Sequence, residues 1–258
     1  MLFISVYFLW PWNAEFFKTA QKEFGVPGLD TKFTAQGMAN INDSDQYIIS
    51  GYISDGAPSR FYVVDTTTNE SRYFTLKVDG KDYTGHAGGV EVVGSKVWTV
   101  SGDDGGHCYC FNLEDVQNAQ DGDVINVKGV FETNNGADFV FANDGLLWVG
   151  EFYKEGVYDT DASHHLTTTS GEVNRALVFA YEIDQSESTG VVSSLPQKAI
   201  SVRDLCQGIA VGENGEFIMS TSFSLPDSNI YVYENVLEQN AHATVEVGTR
   251  TIPVWHLD

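Results

Sequence analysis

The sequence predicts an all-β protein, a β-propeller of four-stranded antiparallel blades, on three observations. One unit recurs four times: a polar residue with glycine, an apolar strand, a tight turn, a second apolar strand, a loop, then a strand rich in Tyr, Phe and Val. The turn between the first two strands carries Asn, Asp or Gly, residues that tolerate the positive φ of a short hairpin. The second strands, such as Tyr47-Ile48-Ile49 and Leu146-Leu147-Trp148-Val149, lack the alternation of a sheet with one wet face. Both of their faces need cover, and stacked blades supply it.

The units follow in order. Residues 1–32 form an N-terminal segment whose apolar run, residues 2–12, is too short to span a bilayer and lacks the basic flank of a secretory signal. A remnant of a signal's apolar core and a strand that closes a sheet are both open readings. The propeller covers residues 33–258, with blades at about 33–80, 86–131, 134–202 and 205–258. The first opens on Gln36-Gly37-Met38-Ala39 and turns at Asn42-Asp43-Ser44-Asp45, with residues 71–76 as its outer strand. The second opens on His86-Ala87-Gly88-Gly89, turns at Gly94-Ser95 and is closed by residues 125–131. The third opens on Asn134-Asn135-Gly136-Ala137-Asp138 and turns at Asn143-Asp144-Gly145. The fourth opens on Gln207-Gly208 and turns at Glu213-Asn214-Gly215, with residues 251–258 as its outer strand. Four units read as an unfinished ring, five-bladed in preference to six-bladed, with closure at four blades as the alternative.

Composition narrows the function. Thirty-six acidic against 14 basic residues give a net charge of −22, which repels a phosphate backbone and argues against a nucleic-acid partner. Cys108 and Cys110 stand two apart on a predicted strand and share a face, so they are badly placed for a mutual disulfide. A bridge from either to Cys206 stays open beside the reading of all three as small buried apolar groups. No nucleophile elbow, phosphate loop, dinucleotide fingerprint or zinc helix is present. Asp43-Ser44-Asp45 and Asp159-Thr160-Asp161 lack the rest of a calcium loop and read as turns.

Several stretches resemble a group of uncharacterised, mostly exported bacterial propeller proteins. They are Gln36-Gly37-Met38-Ala39, Gly51-Tyr52, Ser54-Asp55-Gly56-Ala57-Pro58-Ser59-Arg60, Gly85-His86-Ala87-Gly88-Gly89, Trp148-Val149-Gly150-Glu151-Phe152-Tyr153 and Ser163-His164-His165-Leu166-Thr167-Thr168. The resemblance covers about residues 24–258 and implies an extracytoplasmic or secreted protein. It also implies a further partial blade beyond residue 258. More distantly, the Gly-led inner strands resemble gluconolactonase-like and strictosidine-synthase-like propellers, whose inner-strand carboxylates and amides hold calcium or another divalent cation. Where that pattern has its metal-binding Glu, this chain has Gln36.

In a propeller, loops leading into the innermost strands share one face with loops joining second to third strands. That places Gln36, His86, Asn134 and Gln207 beside Tyr52, His107, Glu151, His164 and His165 at the channel mouth. Imidazole near neutral pH serves as base, acid or metal ligand, so His86 and His164 are the candidate catalytic groups. Gln36, Tyr52, His107, Asn134, Glu151, His165 and Gln207 are the candidate ligand-binding groups. Residues 152–174 form the longest of these loops and read as a lid or binding loop. The leading expectation is a binding propeller for a small polar molecule or a protein. The rivals are a metal-assisted lactone or ester hydrolase, with a cation such as calcium, and an interaction scaffold with no pocket.

Overall fold

A computed structural model describes residues 18, 21–224 and 228–258; the apolar run at 2–12 lies outside the described residues. The first sheet is β1 (Phe33–Asn40), β2 (Gln46–Ile53), β3 (Arg60–Asp65) and β4 (Ser71–Val78), antiparallel in that order, with a short β5 (Lys81–Asp82) turned back on β4. The second contains β6 (Val90–Val93), β7 (Lys96–Ser101) and β8 (His107–Asn112). A short helix α1 (Leu113–Asn118) follows, then β9 (Asp123–Asn126) and β10 (Gly129–Glu132). The third is built on β11 (Phe139–Asn143) and β12 (Leu146–Gly150). After a loop hairpin of β13 (Leu166–Thr167) and β14 (Val173–Asn174), it continues with β15 (Ala176–Glu182) and β16 (Lys198–Val202). The fourth holds β17 (Cys206–Val211), β18 (Phe217–Thr221) and β19 (Asn229–Tyr233), and the chain continues through β20 (Ala243–Val247) and β21 (Arg250–His256). The arrangement is a four-blade propeller array of small antiparallel sheets.

Three strands leave the blade in which the sequence order puts them: β9, and β21 with β20 paired to it. The predicted closing segment at 125–131 divides: β10 pairs with β8 inside its own blade, whereas β9 runs parallel to β4 of the first blade. The predicted outer strand of the fourth blade, residues 251–258, instead pairs in parallel with β16 of the third, Ala199 facing Val254. The fourth sheet therefore has three strands among the described residues. Burial explains the second crossing. On the outer edge of the third blade, Ile252 and Val254 enter the core shared with the second blade. Trp255 and Leu257 enter the core shared with the fourth. One strand thereby contributes to two interfaces.

The apolar clusters lie between sheets. Phe61, Val63 and Phe74 of the first blade pack on Val90, Val97 and Phe111 of the second. Trp98, Val100 and Cys108 of the second pack on Leu147, Leu177 and Phe179 of the third. Trp148, Val178 and Ile200 of the third pack on Ile209, Phe217 and Met219 of the fourth. Strands β7 and β12 are buried along their whole lengths, as the unbroken apolar run of β12 requires; β7 buries Lys96, Thr99 and Ser101 as well. Cys108, Cys110 and Cys206 are buried free thiols, so the open bridge to Cys206 is not formed.

Turn chemistry matches the sequence reading. Asp144 and Gly145 both take positive φ, 51° and 71°, as a two-residue turn between β11 and β12 requires. Near the axis the inner strands approach closely: a Cβ at Gly37 would stand 2.6 Å from Gly89 Cα of the next blade. A larger residue there would push the two blades apart.

Candidate functional site

The inner strands of the first and fourth blades open with the same irregularity. The β1–β2 register shifts between Ala35 and Gly37, and the β17–β18 register between Cys206 and Gly208, so Gln36 and Gln207 are the extra residues of two β-bulges. A bulge re-aims the side chain it carries. Gln36 Nε2 donates to its neighbour's carbonyl, Ala35 O, at 3.3 Å, and Gln207 Nε2 donates to Ser222 O at 2.9 Å. Both line a cavity of ≈ 820 Å³ that draws on all four blades.

Carboxylates dominate that cavity. Asp103, Asp138, Glu151, Asp159, Asp161 and Glu246 line it together with His86 and His164, and among the described residues no Lys or Arg does. Aromatic rings form part of the wall: Phe152, Tyr158 and Phe223 meet one another at centroid distances of 5.7–6.4 Å, and Tyr52 lies 4.7 Å from the ring of His86.

Glu151 follows the end of β12 and is 2% exposed. Its Oε1 accepts from Leu177 N and contacts His164 Nδ1, both at 2.8 Å, while Oε2 accepts from Gly136 N at 3.3 Å. His164, 7% exposed, ends a 3-10 turn (Ala162–His164) that Asp161 caps by accepting from Ser163 N. Its ring meets Phe179 edge-on. A carboxylate on Nδ1 fixes the tautomer and orientation of an imidazole and leaves Nε2 for chemistry.

His86 stands in a looser pair, with Nδ1 3.4 Å from Asp103 Oδ1 and both side chains more than half exposed. Burial works against the charge of Asp103, but the Ser101 hydroxyl and His86 outweigh it and hold the carboxyl below its usual range.

Asp138 lies between these pairs. Its Oδ2 accepts from Phe152 N at 2.7 Å, and among the described residues no donor meets Oδ1. Burial, reinforced by the nearby charge of Glu151, pushes its pKa up to about 6 despite the Phe152 amide. Space around the carboxylate is kept by glycine: a Cβ at Gly102 would stand 2.8 Å from Oδ1, and one at Gly136 3.2 Å from Oδ2. Asn135, also in the wall and 6% exposed, donates Nδ2 to Val149 O and Leu177 O while its Oδ1 has no partner.

Of the candidate residues, Gln36, Tyr52, His86, Asn134, Glu151, His164 and Gln207 line the cavity. Asn134 is turned partly away, its Nδ2 donating to Ser194 O at 2.7 Å. His165 and His107 are not in the lining: His165 packs edge-on against Tyr153 with Nε2 3.1 Å from Thr160 Oγ1, and the His107 ring lies near Tyr109. Asn135, which shares the entry of the third inner strand with Asn134, lies in the wall; sequence order missed Asp138, three residues further along the same opening. The long loop contributes Phe152, Tyr158, Asp161 and His164. Its distal end is clipped by Asp258, which accepts from Thr168, Thr169 and Ser170. A divalent cation needs several converging oxygens. Among the described residues no three His, Cys, Asp or Glu side chains converge as a ligand set.

No family model matches the chain, and no curated protein matches it. Solved structures similar to it include Sqt1 from Chaetomium thermophilum, at 12% identity and TM-score 0.43 over 79% of this chain and 43% of that one. The WD40 β-propeller domain of Doa1 aligns at 14% identity and TM-score 0.37 over 74% of this chain and 63% of the domain. The Malassezia sympodialis allergen Mala s 1 aligns at 12% identity and TM-score 0.36 over 90% of this chain and 89% of its own.

Proposed function

We propose that this chain is an extracytoplasmic binding propeller that takes a small polar molecule, or a polar segment of a protein partner, at the channel mouth. One observation carries the reading: four blades contribute polar groups to a single cavity of ≈ 820 Å³, and two of them do so from paired Gln-Gly bulges. A concave site with a few convergent polar groups between aromatic walls is the usual form of a ligand pocket. The location outside the cytoplasm rests on the resemblance to exported bacterial propellers. The test is a thermal-shift screen of small polar molecules of each charge class. Binding at the mouth predicts a compound that raises Tm in the wild type and loses that effect in Gln207→Ala and Tyr52→Ala. A screen in which no class shifts Tm overturns the reading.

A second reading, hydrolysis of a lactone or ester, draws on the Glu151–His164 contact at 2.8 Å, which suits a histidine acting as general base. Turnover lost in His164→Ala and retained in His86→Ala would support it. Absence of turnover on lactone and ester panels, with and without added calcium, leaves the binding reading alone.

A further inference from the structure

The geometry points to a protonated amine or guanidinium as the group the channel mouth recognises, with Asp138 as its charge partner. This inference rests on the binding reading above and names the ligand's chemistry. Three independent features carry it.

The first is the charge inventory of the wall. Among the described residues six carboxylates and no Lys or Arg line the cavity; Lys154 stands outside the lining, its Nζ 5.8 Å from the Phe223 ring centroid, and the excess of acid leaves a field that favours a cation. Asp103, Asp159, Asp161 and Glu246 are exposed, so water solvates the oxygens that their hydrogen bonds leave over. Glu151 is buried and accepts on both oxygens. Asp138 is half-buried, with one backbone donor to Oδ2 and no donor to Oδ1 among the described residues. A charged donor from outside completes it.

The second is the unpartnered Oδ1 of Asn135. A buried acceptor with no donor of its own leaves the wall long on acceptors and short of donors. A ligand that brings N–H groups complements such a wall, and one that brings only acceptors does not.

The third is the apolar part of the wall. Phe152, whose amide holds Asp138, also presents its ring to Tyr158 and Phe223. Aromatic faces attract cations and cover an alkyl stem. An ammonium or guanidinium on a short apolar chain fits both features, whereas a hard metal ion uses the oxygens and wastes the rings. The missing Cβ atoms at Gly102 and Gly136 leave the space beside the Asp138 carboxylate that a planar or tetrahedral nitrogen head needs.

The same head occurs on a free small amine and on the Lys or Arg side chain of a partner, and the experiment separates these sources. Calorimetric titrations use cadaverine and agmatine, the capped tripeptides Gly-Lys-Gly and Gly-Arg-Gly, and as neutral and anionic controls pentane-1,5-diol and glutarate. The expected result is binding of the cations alone, weakened at least tenfold in Asp138→Asn and severalfold in Phe152→Leu, and unchanged in Glu187→Gln on the far surface. Tighter binding of the tripeptides assigns the site to a protein partner, and tighter binding of the free amines to a small molecule. Should Asp138→Asn fail to fold, Phe152→Leu and the loss of affinity with added salt carry the test. Binding of the diol or glutarate in place of the cations overturns the inference while leaving the binding reading intact. Silence of every probe overturns the inference, while the binding reading is decided by the thermal-shift screen; cation binding that ignores Asp138→Asn and Phe152→Leu overturns the assignment to this site.

Discussion

Two histidine–carboxylate pairs stand on one rim in neighbouring blades. His164 and Glu151 meet at 2.8 Å with side chains 8% and 3% exposed; His86 and Asp103 meet at 3.4 Å with side chains 60% and 53% exposed. The residue types are the same and the consequences differ. Glu151 is tied to two backbone amides as well as to the imidazole, so it belongs to the framework that places the loop at 152–174. The outer pair is wet and worth little in stability, as exposed ion pairs generally are. A histidine and a carboxylate side by side therefore do not by themselves mark a reactive pair; burial and the remaining partners decide.

The largest expected effect comes from the inner pair. Glu151→Ala strands the amides of Leu177 and Gly136 and the ring of His164 in a buried site, at a cost of about 4 kcal/mol in urea unfolding. Asp103→Ala on the outer pair is expected to cost less than about 1 kcal/mol. Similar losses in the two variants would break the contrast.

Next in size is a dependence on pH. Burial raises Asp138 to about 6 and Glu91 to about 7 in the folded chain. Glu91 bridges the second and third blades by accepting from Val92 N and Ala142 N. With folded values above unfolded ones, the native state keeps protons that the unfolded chain has released. Stability therefore falls as pH rises from about 4 to about 7, by roughly 2–3 kcal/mol for each group. Unfolding midpoints compared at about pH 5 and about pH 8 read the slope, and Glu91→Gln should flatten its upper part. An unchanged slope in that variant would remove Glu91 from the account.

Smaller still is the clip at residue 258. Hydrogen bonds from Ser170, Thr169 and Thr168 hold the Asp258 carboxyl well below the usual range. In Asp258→Ala, amide exchange across β13 and β14 should quicken while β12 and β15 keep their protection. Last, His86→Ala should shift global stability by no more than about 0.5 kcal/mol, measured by the same urea titration.

Much of the fold was legible because hairpins announce themselves locally. The Asp144-Gly145 turn and the unbroken apolar run of β12 fix pairing and burial without knowledge of distant residues. The crossing of β9, and of β21 with β20, to preceding blades was not legible. Their β-branched and aromatic residues say that they are strands, and nothing local says which edge they join. The rim was read in the same uneven way. Gln36 and Gln207 stood out because each precedes the glycine of an inner strand, and the structure puts both in the cavity. His107 and His165 lie in the right loops, but loop membership does not set the direction of a side chain. Asp138 was not legible because an acid just before an apolar strand reads as a solvated residue, and its importance lies in what surrounds it: a carboxylate with one donor, no basic side chain in the wall among the described residues, and space held beside it.

That carboxylate offers the most direct measurement. Carbon-detected NMR of labelled aspartate follows the titration of Asp138 in the folded protein. The account predicts a midpoint near 6, moving downward when cadaverine is added, because a bound cation favours the ionised form. A midpoint within the ordinary aspartate range, indifferent to amine, would contradict the picture of an unneutralised carboxylate waiting at the channel mouth.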